Sequence, residues 1–423
     1  MEGIYNIRDY RDRSKDNTDW TEAFRAAVSD AEKEGGGIVY VPVGKYATYS
    51  IRLKSNITLY VAAGAQLDFM EDTEGYEIVE TEFEGIAGQA YMPCIYALGA
   101  HHVAVEGDGV INGNGAVWWK QVRENTLKRP RPYLICFQEC EHVRIERVTL
   151  CNSPAWTVHP LYCRDVLIQG ISIKNPPDSP NTDGINPDGC SDVRIINCRV
   201  DVGDDCITLK SGTEKTQVKR PCENIMIANC ALLHGHGGIV IGSEMSGGVR
   251  NVTVANCVFQ DTDRGLRVKT RRRRGGIVEN IHFSNCIMDR VMCPFVFNMY
   301  YFCGEDGKAE YVRDREAHPV DGGTPGIRGI HISNVTVTNA SAAAGFVYGL
   351  KEMPVSGVTL SNVRITMDPE GAPATPAMMD GLSPVSAQGF FLRNARELVF
   401  DNVIIANARG GEILADDSVE WSS

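Results

Sequence analysis

Along most of the chain, apolar and polar residues alternate in short phrases that close on asparagine. The phrase reads "VRIIN" from Val193, "IMIAN" from Ile225, "VTVAN" from Val252, "IHFSN" from Ile281, "IHISN" from Ile330, "VTLSN" from Val358 and "LVFDN" from Leu398. Without the asparagine it runs back through "VLIQG" at Val166, "VRIER" at Val143, "VAVEG" at Val103 and "ITLYV" at Ile57. Most central copies start about 23 to 32 residues apart. Alternation with period two marks each phrase as a strand with one buried face, and the Gly and Asn that follow mark turns. Short strands at this spacing, with almost no helical pattern between them, predict an all-β chain of right-handed parallel β-helix coils. Equivalent residues of successive coils would then stack about 4.8 Å apart, with the repeated Asn as an internal ladder satisfying turn backbone. An antiparallel sandwich gives no reason to repeat Asn and Cys at one phase.

One helix is expected near the start. Asp19 is its N-cap with Glu22 three residues on, Trp20, Phe24, Ala27, Val28 and Ala31 share a face, and Gly35 ends it. It would cap the open end of the solenoid, whose edge groups are otherwise unpaired. The reading is a single domain over 1–423, with a cap region at 1–50, coils over 51–423, and longer loops at about 70–95 and 299–326.

Composition narrows the class. The 423 residues are 43% hydrophobic and 23% charged, as in a globular protein with a large core. No apolar run approaches the roughly 20 residues that span a bilayer, so no membrane is expected as a partner. The start lacks a basic segment followed by an apolar one, which reads as cytoplasmic, with a secretion signal already removed as the alternative. Of 14 Cys, Cys198, Cys230, Cys257 and Cys286 recur in the motif "NC", which predicts a stack of small buried thiols and no disulfide framework. No His/Cys group has zinc spacing, and no metal or cofactor is expected. A net charge of −12 argues against nucleic acid, although "RGLRVKTRRRR", Arg264 to Arg274, is a basic island suited to an anionic ligand.

Candidate chemistry lies in two glycine-flanked turns, "NTDG" with Asp183 and "GDDC" with Asp204 and Asp205. Asp205 lies 12 residues after its marker Val193 and His236 lies 11 after Ile225, so the two should be neighbours on adjacent coils. Asp183 falls about one short coil earlier. Arg267 and Lys269 fall about one coil later, and their i, i+2 spacing puts them on one strand face. Four coils thus place three Asp, one His, one Arg and one Lys on a stripe about 14 Å long. Asp204 and Asp205 both reach it only if the backbone bends, for which Gly203 is suited. Clustered carboxylates repel, so at least one should titrate high, beside ionised neighbours; that is the equipment of glycoside hydrolysis. His234 reads as a turn residue. His159, in "WTVHP", could line the cleft or pack.

In this order, "NTDG", "GDDC", "GHG" and "RVK" resemble the signature segments of glycoside hydrolase family 28, the polygalacturonases and relatives. The β-helix phrases and the opening "DNTDWTEAFRAAVSDAEKEGGGIVYVPVGKY" extend the resemblance over nearly the whole chain. "RVK" stands for the more usual "RIK", and the opening lacks the common Gly-Ala-Gly-Asp pattern. The resemblance implies a right-handed parallel β-helix that cleaves α-1,4-linked galacturonate with inversion. It implies Asp204 as general acid, Asp183 and Asp205 as holders of the attacking water, and His236 as support for the acid. Arg267 and Lys269 would grip a galacturonate carboxylate. From their places beside the stripe, apart from the resemblance, Asn181, Arg271, Arg274 and His159 are read as further candidate substrate contacts. The expected substrate is a galacturonan or oligogalacturonide, cut from an end. Alternatives are rhamnogalacturonan or xylogalacturonan hydrolysis, a calcium-dependent pectate lyase, and a non-catalytic glycan-binding β-helix.

Overall fold

The computed structural model describes residues 3–11, 18–304 and 306–423. Residues 12–17 lie outside them, among them Asp16 and Asn17, the first two of the opening stretch that carries the family resemblance. The chain forms two compact units, Met1–Asp204 and Asp205–Ser423. Each is built of coils of a right-handed parallel β-helix.

In the first unit, alternation gives the strands their register. Glu141–Glu146 pairs in parallel with Arg164–Gln169, and that with Ser191–Ile196. This aligns Val143, Val166 and Val193 in one column and Ile145, Ile168 and Ile195 in the next, all at most 1% exposed. Successive side chains point to opposite sheet faces, so the intervening Arg and Glu stay outside. Thr149–Cys151, Ser172–Lys174 and Arg199–Val202 form a second sheet with Leu150, Ile173 and Val200 stacked inward. Ile95–Leu98, Ile135–Gln138 and Val158–Leu161 form the third. Strands Gly37–Val41 and Gly44–Thr48 already pair with Ile57–Val61 and Ala65–Phe69.

The expected cap is the helix Thr21–Lys33, burying Phe24, Ala27, Val28 and Ala31. Its start differs from the expectation. Asp19 Oδ1 accepts from the Thr21 N–H at 2.8 Å, while Glu22 turns to Arg25 at 2.8 Å instead of reaching back to the cap. A second helix, Ala116–Arg123, escapes the sequence pattern because it has only two turns, but it buries Trp118 and Trp119. The loop near 70–95 contains a hairpin, Ile78–Phe83 with Ile86–Tyr91. Glu84 (φ 52°) and Gly85 (φ 74°) form its two-residue turn, the left-handed pair that matches strand twist.

In the second unit one sheet runs Cys222–Ala228, Val249–Ala255, Ile277–Asp289, Gly326–Ala340, Val355–Met367 and Ala395–Ala406. Another runs Ile207–Leu209, Ile239–Gly242, Arg264–Lys269, Cys293–Asn298, Ala343–Tyr348 and Gln388–Arg393. The asparagine ladder exists, but on the outside. Asn334 donates to Asn285 at 3.1 Å, Asn362 to Asn334 at 3.3 Å and Asn402 to Asn362 at 2.8 Å, and all four are exposed. Each has φ between 52° and 55°, so Asn recurs because each coil turns there through the left-handed region that it tolerates. Cys198, Cys230, Cys257 and Cys286 are free thiols at most 2% exposed, as the repeat predicts. Among the described residues, no helix is long and apolar enough to cross a membrane.

Candidate active site

Asp183 belongs to a braced turn in the first unit. The Thr157 N–H donates to its carbonyl at 2.9 Å, one coil earlier, and its Oδ2 accepts from Asn186 at 3.1 Å. The side chain is buried, and Asn186 Oδ1 beside it is buried with no partner among the described residues. Asn175 bonds both the Thr182 carbonyl, at 3.1 Å, and Thr157 Oγ1, at 2.8 Å. Arg131, 4% exposed, donates to the carbonyls of Pro154 and Pro180 and to Asn181 Oδ1 at 2.8, 2.7 and 2.8 Å. Asn181 is thus engaged by Arg131 and shapes the turn. Neither Arg131 nor Asn175 sits in a repeated phrase, so the sequence pattern does not single them out.

Asp204, half-buried, closes this unit in a bend after Arg199–Val202. Gly203 is required there: a Cβ would lie 2.5 Å from the Pro177 carbonyl oxygen. The bend frees the adjacent Asp204 and Asp205 from strict strand alternation.

His159 does not line a cleft. It is 1% exposed, its Nδ1 lies 3.0 Å from the Asn186 carbonyl, and its ring meets Tyr133 and Trp156 edge-on at 4.7 and 5.0 Å. Apolar packing won over the polar reading of "WTVHP". Phe83, at the hairpin tip, stacks 5.3 Å from Tyr133, which in turn stacks 5.2 Å from Trp156. Glu82 receives the Tyr162 hydroxyl at 3.0 Å, and Thr81 donates to Gln138 at 3.1 Å. The hairpin is therefore clamped onto the coils that lead to Asp183.

In the second unit Asp205 is the hub. It is 1% exposed, and its Oδ1 and Oδ2 meet Arg267 at 3.2 Å and Lys269 at 2.6 Å. Burial alone would raise its pKa, but the Lys269 and Arg267 charges outweigh burial and hold it well below the carboxylate range. The expected upward shift from carboxylate repulsion is not what governs this residue. Lys210 adds to the positive field and pairs with Glu244 at 2.8 Å, and Lys210 and Arg274 bring Glu244 down to about 2 against its burial. The register is also one residue from expectation. Ile207 pairs with Ile239, so Asp205 falls opposite Gly237 and not His236. A Cβ on Gly237 would collide with Val240 Cγ2 and stand 3.2 Å from Asp205 Oδ1, so its absence makes room for both side chains. His236 itself is exposed, and its carbonyl accepts from Arg267 at 3.4 Å.

Arg267 and Lys269 share the strand Arg264–Lys269 and one face, as predicted. Tyr301 covers both, with its ring centroid 5.7 Å from the Arg267 guanidinium and 5.3 Å from Lys269 Nζ. The basic run that follows is not a free anion site. Arg271 and Arg274 both turn to Glu214, Arg271 at 2.7 Å, and Arg272 grips Glu352 at 2.6 Å. Arg273 lies 3.8 Å over the Tyr311 ring. Arg271, Arg272 and Arg274 are buried, and two carboxylates distant in sequence offset part of their charge. Arg272 also bonds the carbonyls of Tyr311, Asp314 and Glu316, organising the loop near 299–326.

Residues 79–377 match the family described as Glycosyl hydrolases family 28. A probable polygalacturonase of Vitis vinifera is 34% identical over 86% of this chain and 74% of its own length. The crystal structure of a hyperthermoactive exopolygalacturonase from Thermotoga maritima superposes with a TM-score of 0.81 at 30% identity, covering 97% of this chain and 93% of that one. An exopolygalacturonase of Yersinia enterocolitica, at 22% identity and TM-score 0.84 over 100% of this chain and 78% of that one, shares the fold. The chain belongs to glycosyl hydrolases family 28 and is a glycoside hydrolase.

Proposed function

We propose that this enzyme hydrolyses α-1,4-linked galacturonic acid in poly- and oligogalacturonides, from a chain end and with inversion. The observation that carries the reading is Asp205 buried between Arg267 and Lys269. A carboxylate held so far below its ordinary range is ionised at neutral pH and cannot be the proton donor. Its role is to hold and polarise the attacking water with Asp183, which leaves Asp204 as the general acid on the leaving oxygen. His236 supports that acid. Arg267 and Lys269, whose positive charge exceeds what Asp205 neutralises, are suited to a sugar carboxylate. The names of the relatives support galacturonate as that sugar.

Action from an end is supported by the hairpin Ile78–Tyr91, fixed by the Phe83–Tyr133–Trp156 stack as a wall beside the coils leading to Asp183. A groove with a wall admits a chain terminus, whereas internal cleavage needs both ends open. The test is the early product pattern on polygalacturonate. Monomer or one fixed short product with slowly falling viscosity is expected, and a spread of oligomers with rapid viscosity loss would overturn end action. NMR of the first product should show the inverted anomer. Hydrolysis should persist in EDTA; metal dependence with an unsaturated, ultraviolet-absorbing product would mark a lyase.

A further inference from the structure

The cation pair is covered by a second loop that the sequence pattern leaves unmarked. Met378 Sδ accepts from Arg267 Nη2 at 2.9 Å. The sulfur is held in place by its own segment. Asn298, in the Lys269 column one coil on, donates to the Met378 carbonyl at 3.0 Å. Arg264 donates to the Thr375 and Pro376 carbonyls at 2.9 and 3.3 Å. Asp380 ties the segment to the preceding loop, its carbonyl receiving Arg315 at 2.9 Å and its carboxylate meeting Arg313 at 2.5 Å. Met378 is half-buried, whereas the guanidinium beneath it is 2% exposed.

We infer that Met378 is an internal competitor for the Arg267 carboxylate grip. This rests on the reading that Arg267 binds a sugar carboxylate. A thioether is a weak acceptor, and a carboxylate bound to guanidinium makes a much stronger charge-assisted bond. Substrate therefore displaces the sulfur on entry. When product leaves, the sulfur returns to Arg267 Nη2, and release of the acid sugar is eased. Met378 is in this sense a positioning residue that sets affinity for charged product.

Met378→Leu tests it, because leucine keeps the volume and removes the acceptor. Inhibition of oligogalacturonide hydrolysis by galacturonate should tighten about threefold, the scale of one net hydrogen bond. Inhibition by galactose and the thermal midpoint should stay as in the unmodified enzyme. Unchanged or weakened galacturonate inhibition, or equal shifts for both sugars, would overturn the inference and leave Met378 as packing. Arg267→Ala separates the two levels: it should weaken galacturonate far more than galactose. Equal losses there would overturn the carboxylate reading itself, and the inference with it.

Discussion

Asp204→Asn is expected to lower hydrolysis of oligogalacturonides about a thousandfold while leaving the fold intact, the scale of losing a positioned general acid. The site explains why the loss should be so selective. Asp205 is committed to Arg267 and Lys269 and stays ionised, and Asp183 sits in a turn braced by Arg131, Asn175 and Asn186. On the proposed reading both serve the attacking water. Asp204, half-buried in the bend after the strand, is the proposed donor. A leaving group that departs without protonation should bypass the defect. On an aryl galacturonide with an acidic phenol, Asp204→Asn should lose far less than on an oligomer, whereas Asp183→Asn, which disturbs the water, should lose comparably on both. Equal losses on the two substrates for Asp204→Asn, or near-normal turnover on oligomers, would remove Asp204 from the acid role.

What could be read from the sequence was whatever recurs at coil spacing. Columns such as Val143, Val166 and Val193 follow from alternation alone, because the pleat sends every second side chain inward. The left-handed turns are visible as repeated Asn, but the side on which the ladder lies is not, since periodicity reports phase and not whether a polar group faces in or out. The pairing of Arg267 and Lys269 followed from their i, i+2 spacing. Contacts that cross the coil order were not legible. Glu214 pairs with both Arg271 and Arg274, Glu352 pairs with Arg272, and Met378 and Tyr301 cover Arg267 from two loops. The sequence shows a run of arginines, and only the fold shows which carboxylates desolvate with them. His159 was ambiguous for the same reason: an imidazole between two aromatic rings and one outlining a cleft share the same local sequence.

Asp205→Asn should reduce both activity and stability, and the stability loss should depend on pH in a defined direction. The variant leaves Arg267 and Lys269, 2% and 7% exposed, facing a neutral amide, so two buried cations lose their counter-charge. Breaking a buried pair in this way costs about 3 kcal/mol or more. Because the folded-state pKa of Asp205 is depressed, its stabilisation is present above the unfolded carboxyl value of about 3.9 and is lost as pH falls towards the lower folded value. The gap between unmodified and variant enzyme in urea melts should therefore be widest near neutrality and constant down to about pH 5, then narrow below about pH 4. Comparing the gap, and not either melt alone, cancels the protonation of all other carboxylates. A gap that stays constant to pH 3 would mean that the charge of Asp205 contributes nothing to holding the cations. Turnover should fall at least about a hundredfold through loss of the water-holding carboxylate. A raised KM with unchanged kcat would instead assign Asp205 to organising Arg267 and Lys269 for binding, and would move the whole task of activating water to Asp183.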